Sequence, residues 1–178
     1  SMAVSKLAKK QVTVSLSGDG GDELFGGYHY YKIAKYLNPF FKTPETLRRL
    51  SSYIVGKVPL HQAKLVSSAL AQNESSRSFA FTRSIAKDFH QVLNEAILEE
   101  TNSMLDLFAN KASSFPQNLH SSEEGMRLDL TYTLNDDYLQ KTDVATMAFS
   151  LESRAPLLSN DVIEWAIKLP VKWKIKGN

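Results

Sequence analysis

The stretch LSGDGGDELFGG, from Leu16 to Gly27, constrains the fold of this chain more than any other. It holds five glycines in ten residues, and glycine costs stability unless the backbone needs its conformational freedom. The preceding residues, Gln11–Ser17, alternate β-branched and polar side chains and therefore predict a strand. Apolar and aromatic residues recur near helical spacing afterwards, so a helix should follow. A strand that becomes a helix through a glycine-rich loop is typical of phosphate sites, because free N–H groups at the helix start attract anions.

Three carboxylates lie inside this stretch: Asp19, Asp22 and Glu23. Fixed negative charges there would repel a phosphate unless a divalent cation lay between them. Their i, i+3, i+4 spacing lets them converge on one side, and Mg²⁺ typically takes one or two carboxylates together with phosphate oxygens. The alternative is helix capping, with Ser17 or Asp19 as the cap and Asp22 or Glu23 closing a capping box. Both interpretations stay open at this point.

Composition narrows the class of protein. At 178 residues the chain is long enough for one domain with a core, and it has no apolar run near the ~20 residues that span a bilayer. The net charge is +2 and the basic residues are scattered, so we expect neither a nucleic-acid nor a membrane partner. The absence of cysteine excludes disulfides and thiolate metal sites, and it fits the cytoplasm. Ser1-Met2 look like a remnant of cloning, so we expect the natural protein to extend upstream.

The rest of the chain is predicted to be almost entirely helical. The helix that starts near Asp22 should end at Asn38-Pro39, and Asn135–Leu139 should form a turn. A lone strand has no partner for its backbone groups, so its neighbouring strands should lie outside this chain. The chain is therefore predicted to be the helical back portion of an α/β nucleotide-binding domain, mainly α with one or very few strands. The other predicted helices are Val4–Lys10, Pro44–Val55, Gln62–Ala71, Ser76–Ile85, Asp88–Glu100, Ser103–Ala109, Glu123–Leu134, Val144–Leu151 and Asn160–Leu169.

A second group of charged residues precedes Pro156. Glu152 and Arg154 lie in a stretch that the following proline favours as extended, so their side chains should project to the same side. They could be a structural ion pair that shapes this stretch. Lys141 and Asp143 lie two positions apart just upstream.

Two blocks of the sequence resemble one known family. LSGDGGDELFGGY is similar to the second signature of the synthetase domain of glutamine-dependent asparagine synthetases, which belong to the ATP-pyrophosphatase (PP-loop) group. DDYLQKTDVATMAFSLESRAPLLSNDVIEWAIKLP resembles a further run of the family, D-x-L-x-K-x-D-R-x-x-M-x-x-S-x-E-x-R-x-P-x-L-D. The resemblance covers nearly the whole chain, so it implies that residues 1–178 are part of an α/β adenine-nucleotide α-hydrolase-like (PP-loop) domain.

The resemblance implies roles for residues of the glycine-rich loop. Asp22 would lie near Mg²⁺–pyrophosphate with Glu23 alongside, so these two are the predicted metal residues. Asp19 stands where relatives carry an acid, often Glu, that serves as general base for ammonia attack. The wall around the ATP phosphates and the released pyrophosphate would be formed by Ser17, Gly18, Gly20 and Gly21.

For the second block, the resemblance implies support of the substrate pocket by four residues: Lys141, Asp143, Glu152 and Arg154. The chain departs from the family pattern at two positions. Val144 replaces the usual Arg of the D-R pair, and Ser159 replaces the usual Asp after P-x-L. Both departures bear on which carboxylate the pocket accepts.

The implied reaction is ATP-dependent amide formation. ATP would activate the β-carboxyl of aspartate as an acyl-adenylate, and ammonia from a glutaminase domain outside this chain would displace AMP. The alternatives are a non-catalytic helical scaffold and a related amidotransferase with another carboxylate acceptor. The S-G-G-x-D-S loop of the family does not occur here, so we expect the isolated chain to be inactive and to self-associate as a homodimer near its strand.

Overall fold

The computed structural model describes residues 1–71, 114–116 and 119–176. Three predicted helices, Ser76–Ile85, Asp88–Glu100 and Ser103–Ala109, lie outside the described residues. In chain order the described elements are α1 (Met2–Ala8), β1 (Val14–Leu16), α2 (Gly21–Phe25), α3 (His29–Phe41), α4 (Glu45–Gly56), α5 (His61–Ala71), α6 (Ser121–Leu128), a π-helix (Asp129–Leu139), α7 (Gln140–Met147), β2 (Glu152–Arg154), a 3₁₀ turn (Pro156–Leu158), α8 (Asn160–Lys168) and α9 (Val171–Lys174). Within these residues no helix is long and apolar enough to cross a membrane.

The chain divides into two compact units. The first comprises Ser1–Tyr28 and Met126–Asn178, and the second comprises His29–Gly125. The first unit carries the glycine-rich loop and both described strands. Its most fully buried large apolar side chains include one from α2, one from the π-helix, the residue before β2 and the residue after α9: Leu24, Leu134, Leu151 and Ile175.

The two described strands form a parallel pair in the first unit. Val14 is opposite Glu152 and Leu16 is opposite Arg154. The pairing continues into the loop, because the Ser17 N–H donates to the Arg154 carbonyl at 2.8 Å. A mainly helical chain with few strands was predicted and is confirmed, but the expectation of a lone strand is wrong. The partner of β1 is β2, which lies in the stretch before Pro156 that was predicted to be extended but not to pair.

Helix α2 lies between two glycines in the left-handed region of backbone space. Gly20, its N-cap, has φ 88° and Gly26, its C-cap, has φ 73°. A side chain at Gly20 would overlap Leu158, and one at Gly26 would come within 2.5 Å of Ile175. Only glycine meets both demands, the positive φ and the close approach of a neighbouring side chain.

The second unit packs α3 against α5 around Ala34, Phe41, Ala69 and Leu70. The single helix predicted from near Asp22 to Asn38-Pro39 is wrong in two respects: it is broken at Gly26, whose φ is 73°, and its second part, α3, runs through Pro39 to Phe41. Pro39 has no N–H to donate, so this helix loses one backbone hydrogen bond near its end, which is closed by Thr43, whose hydroxyl donates to the Phe40 carbonyl at 2.6 Å.

The predicted turn at Asn135–Leu139 is also wrong. These residues belong to the π-helix, which joins α6 to α7 without a break. Its first residue, Asp129, is 1% exposed, and the Thr133 hydroxyl donates to Asp129 Oδ1 at 2.8 Å. Side-chain hydrogen bonding and burial therefore support the helix where local turn propensity favoured a break.

Candidate functional site

The loop from Ser17 to Gly20 joins the end of β1 to the start of α2. It is closed by two backbone bonds, from Gly21 N–H to the Gly18 carbonyl at 3.1 Å and from Leu24 N–H to the Gly20 carbonyl at 2.9 Å. The N–H groups of Gly18, Asp19 and Gly20 donate no backbone bond to a described residue. They are therefore available to an acceptor outside the protein, as successive N–H groups are in anion-binding turns.

Ser17, at the start of this loop, carries a hydroxyl that no described residue satisfies. Its Oγ is buried and has no hydrogen-bond partner among the described residues. A buried hydroxyl without a partner costs about 1–3 kcal/mol, so native structures rarely keep one without a reason. A bound phosphate oxygen would supply the missing acceptor.

The structure separates the two neighbouring acids of α2. Asp22 is exposed, whereas Glu23 is 3% exposed and accepts a 2.8 Å hydrogen bond from the Tyr28 hydroxyl. Burial raises the pKa of Glu23, and the nearby Asp22 and Asp129 carboxylates raise it further, against the lowering effect of the Tyr28 bond. Glu23 therefore does not converge with the other two acids as predicted. Its role as a metal ligand stays a prediction, which the burial of its carboxyl group does not favour.

Two residues that surround Glu23, Tyr28 and Asp129, were not predicted to belong to the site. Burial raises the pKa of Tyr28 far above its usual range, and the neighbouring Glu23 and Tyr138 add to that shift. Tyr28 therefore stays protonated and acts as a donor. Asp129 is buried beside α2 at the start of the π-helix. The signal for Tyr28 was its position directly after the Gly26-Gly27 pair, but Asp129 has no local signal because it comes from a distant segment.

Glu152 and Arg154 lie on β2 with the predicted geometry. Arg154 Nε lies 2.7 Å from Glu152 Oε1, and both side chains are exposed. Their projection to one side is confirmed, and an exposed ion pair of this kind contributes little stability. The backbone of Arg154 has the more direct link to the loop, because its carbonyl accepts from the Ser17 N–H.

Lys141 and Asp143 lie on α7 and are exposed. Lys141 Nζ lies 4.7 Å from the centre of the Tyr138 ring, a cation–π contact. Beside Lys141 is an open pocket of about 390 Å³, whose lining includes Asp137 and Val144. Support of a substrate pocket by Lys141 and Asp143 stays a prediction.

The loop fits a metal–phosphate pair better than a metal held by protein alone. Among the described residues, no three His, Asp or Glu side chains are grouped to hold a metal ion. The residues that fit are the exposed Asp22 as a hard oxygen ligand, together with the Ser17 hydroxyl and the free loop N–H groups as donors to phosphate. Mg²⁺ commonly binds with one or two carboxylates and completes its shell with phosphate oxygens and water.

A parallel strand that leads through a glycine-rich loop into a short helix is the arrangement typical of phosphate sites in α/β domains. The comparison with protein families gives the particular family. Residues 1–178 match the family model described as asparagine synthase, and the chain belongs to this family. No solved structure matches with significance.

Three relatives illustrate the relationship. Asparagine synthetase [glutamine-hydrolyzing] 1 of Bacillus subtilis (strain 168) is 32% identical over 98% of this chain and 27% of its own length. A protein of Mycobacterium bovis, provisionally named a glutamine-hydrolyzing asparagine synthetase, is 34% identical over 97% of this chain and 26% of its own length. A similarly named protein of Methanocaldococcus jannaschii is 31% identical over 81% of this chain and 27% of its own length. The chain thus spans about a quarter of the length of these relatives.

Proposed function

We propose that this chain provides the phosphate-facing wall of the ATP site in a glutamine-hydrolysing asparagine synthetase. In the proposed reaction, the β-carboxyl of aspartate attacks ATP and forms an acyl-adenylate with release of pyrophosphate. Ammonia, supplied by a glutaminase domain outside this chain, then displaces AMP and gives asparagine. Family membership and the names of the relatives support this assignment.

The observation that carries the proposal is the set of free donors in the loop. The buried Ser17 Oγ has no partner, and the N–H groups of Gly18, Asp19 and Gly20 have no backbone acceptor among the described residues. Phosphate is the common ligand with enough acceptor oxygens to satisfy several such donors at once. We therefore assign Ser17, Gly18 and Gly20 as donors to the ATP phosphates and pyrophosphate, while Gly21, whose N–H bonds the Gly18 carbonyl, would line the same wall through its backbone.

Asp22 is the residue of α2 that would hold Mg²⁺, because it is exposed, whereas the neighbouring Glu23 is buried. The metal would neutralise the negative charge that develops on the leaving pyrophosphate. Asp19, half-exposed within the loop itself, would accept the proton of the attacking ammonia. Lys141, Asp143, Glu152 and Arg154 would support the pocket of the carboxylate substrate.

The replacement Asp22→Asn in the full-length protein tests this proposal. It keeps the size of the side chain and removes its charge, so asparagine synthesis should be abolished while the circular dichroism spectrum is unchanged. Loss of such charge stabilisation in a transition state is worth several kcal/mol. The control is Asp161→Asn, the same change at an exposed position in the first turn of α8. A folded Asp22→Asn protein with the kcat of the Asp161→Asn control would refute the assignment.

The acceptor carboxylate is tested separately. Val144 and Ser159 stand where the family pattern has Arg and Asp, so a panel of carboxylic acids should be compared with aspartate. The readout is exchange of labelled pyrophosphate into ATP, which reports adenylate formation on each acid. Aspartate should give the fastest exchange. Faster exchange with another acid would support adenylate formation but would show that aspartate is not the preferred substrate.

A further inference from the structure

We propose that Gly27 is a positioning residue for Asp22. Because it has no side chain, it leaves the space that the Asp22 carboxylate occupies, and it thereby fixes the direction in which that carboxylate faces. This inference rests on the proposed function, in which Asp22 contacts Mg²⁺.

The contact between the two residues is direct. A methyl group built on Gly27 would overlap Oδ1 of Asp22, and it would lie 2.8 Å from Asp22 Cγ and 3.2 Å from Asp22 Cα. Oδ1 of the exposed Asp22 side chain therefore lies in the space that a side chain at position 27 would take. Any larger residue at position 27 would push the carboxylate out of this position.

The backbone does not explain a glycine at position 27. Gly26 has φ 73° and requires glycine for that reason, but Gly27 is not among the residues with positive φ. The N–H groups of Gly26 and Gly27 both donate to the Asp22 carbonyl, at 2.9 and 3.0 Å. Both residues are thus tied to Asp22, and what limits residue size at position 27 is the space taken by its carboxylate.

The same segment also fixes the neighbouring acid. Tyr28 holds Glu23 inside the first unit through the 2.8 Å hydrogen bond to Oε1, while Gly27 accommodates Asp22 on the exposed side. Helix α2 has only five residues, and glycine caps it at both ends. Such a short helix has little stability of its own, so the residues that follow it set where its two acids face.

The test measures metal binding directly in the full-length protein. Mn²⁺ serves as a paramagnetic probe for Mg²⁺, with pyrophosphate present, and free Mn²⁺ is measured by electron paramagnetic resonance. Gly27→Ala should weaken Mn²⁺ binding about 10- to 100-fold, the usual effect of disturbing a residue that orients a metal ligand. Asp22→Asn should weaken it at least as much.

The double variant separates positioning from general damage. If Gly27 acts only through Asp22, then Gly27→Ala should have no further effect on Mn²⁺ affinity in the Asp22→Asn background. Damage to the fold would instead reduce affinity in both backgrounds. The control is Gly125→Ala, where the new methyl would lie 3.5 Å from the Tyr31 ring, an ordinary contact, and where Mn²⁺ binding should be unchanged.

Each contrary outcome has a separate meaning. Wild-type Mn²⁺ affinity in Gly27→Ala, together with weak binding in Asp22→Asn, would overturn the inference alone. Wild-type affinity in Asp22→Asn would overturn the metal role of Asp22 and the inference with it. Gly27→Ser provides a second variant. If Gly27→Ala and Gly27→Ser both failed to fold, Gly27 would be required for stability, and the positioning role would be refuted.

Discussion

The Tyr28 hydroxyl donates a 2.8 Å hydrogen bond to Oε1 of Glu23, a carboxyl group that is 3% exposed. This bond ties the residue that follows the Gly26-Gly27 pair to the middle of α2. It therefore joins the end of the glycine-rich stretch to the first unit, and it keeps one of the loop acids away from solvent.

Tyr28→Phe should lower the free energy of unfolding. The replacement removes only the hydroxyl and leaves a buried carboxyl oxygen without its donor, which costs about 1–3 kcal/mol. Urea unfolding of the chain measures the effect. Tyr36→Phe makes the same change at a side chain that is 58% exposed and should be nearly neutral. Equal stability of the two variants would show that the Tyr28 bond contributes nothing to the folded state.

Stability should also decrease below pH 6.5 because of His120. Its Nδ1 accepts a 3.3 Å hydrogen bond from the Ser122 N–H. Burial lowers the pKa of His120 from 6.5, the Lys35 and Lys42 cations lower it further, and Glu123 opposes them. The folded protein thus binds this proton less readily than the unfolded chain. The contribution of His120 to the free energy of unfolding is complete above pH 6.5. It is lost as the pH falls from there through the lowered pKa of His120 in the folded state.

His120→Asn tests this pH dependence. Asparagine keeps an acceptor at the start of α6 but does not titrate, so the decrease in unfolding free energy between pH 7.5 and pH 5.5 should become smaller. His29→Asn removes an exposed histidine at the first residue of α3 and serves as the control. An unchanged pH dependence in His120→Asn would assign the effect to other groups.

Asp19→Asn should separate the two steps of the proposed reaction. If Asp19 is the base for ammonia, adenylate formation should persist while amide formation slows by about 10²- to 10⁴-fold. Pyrophosphate exchange reports the first step, and asparagine produced from added ammonia reports the second. Equal loss of both steps would make Asp19 a metal or structural residue.

The isolated 178-residue chain should show no synthetase turnover and at most weak ATP binding, because one wall of a phosphate site offers few of the groups that bind a nucleotide. It should also form dimers. Among the described residues β1 pairs only with β2, and Leu16 on β1 is 73% exposed. Open strand edges of this kind favour pairing with another copy.

Leu16→Lys should shift this association toward the monomer in light scattering. Leu47→Lys, on α4 of the second unit, changes a leucine that is 56% exposed and should leave the association unchanged. Calorimetric titration measures ATP binding on the same samples. A monomeric wild-type chain that binds ATP with micromolar affinity would contradict both expectations.

The strand, the loop and the start of the next helix could be predicted because their determinants are local. Alternating residues specify β1, and the glycines of the loop indicate where α2 begins. The end of α2 was not predicted, because apolar residues keep helical spacing across Gly26, whose φ of 73° breaks the helix. The Glu152–Arg154 pair was predictable for a similar reason, since residues two apart in an extended stretch share a side.

What could not be predicted depends on tertiary contacts. Asn135–Leu139 has the composition of a turn, yet it continues a helix whose first residue is buried beside α2. Glu23 resembles Asp22 in the sequence, and only the position of Tyr28 distinguishes the buried acid from the exposed one. No local pattern reports the burial of Asp129 beside α2, because its neighbours there are specified by the packing of the unit.

The pairing of β1 with β2 also has a consequence for how the protein is made. The Ser15 hydroxyl donates to the Glu152 carbonyl at 3.4 Å across 137 residues of sequence. A ribosome releases the glycine-rich loop before β2, so the nascent loop has no support from Arg154 until the segment between them has emerged. Contacts at such sequence separation form slowly because a long segment must first be closed. During synthesis β1 therefore lacks its partner strand, and its unpaired backbone groups are open to binding by chaperones until β2 pairs with it.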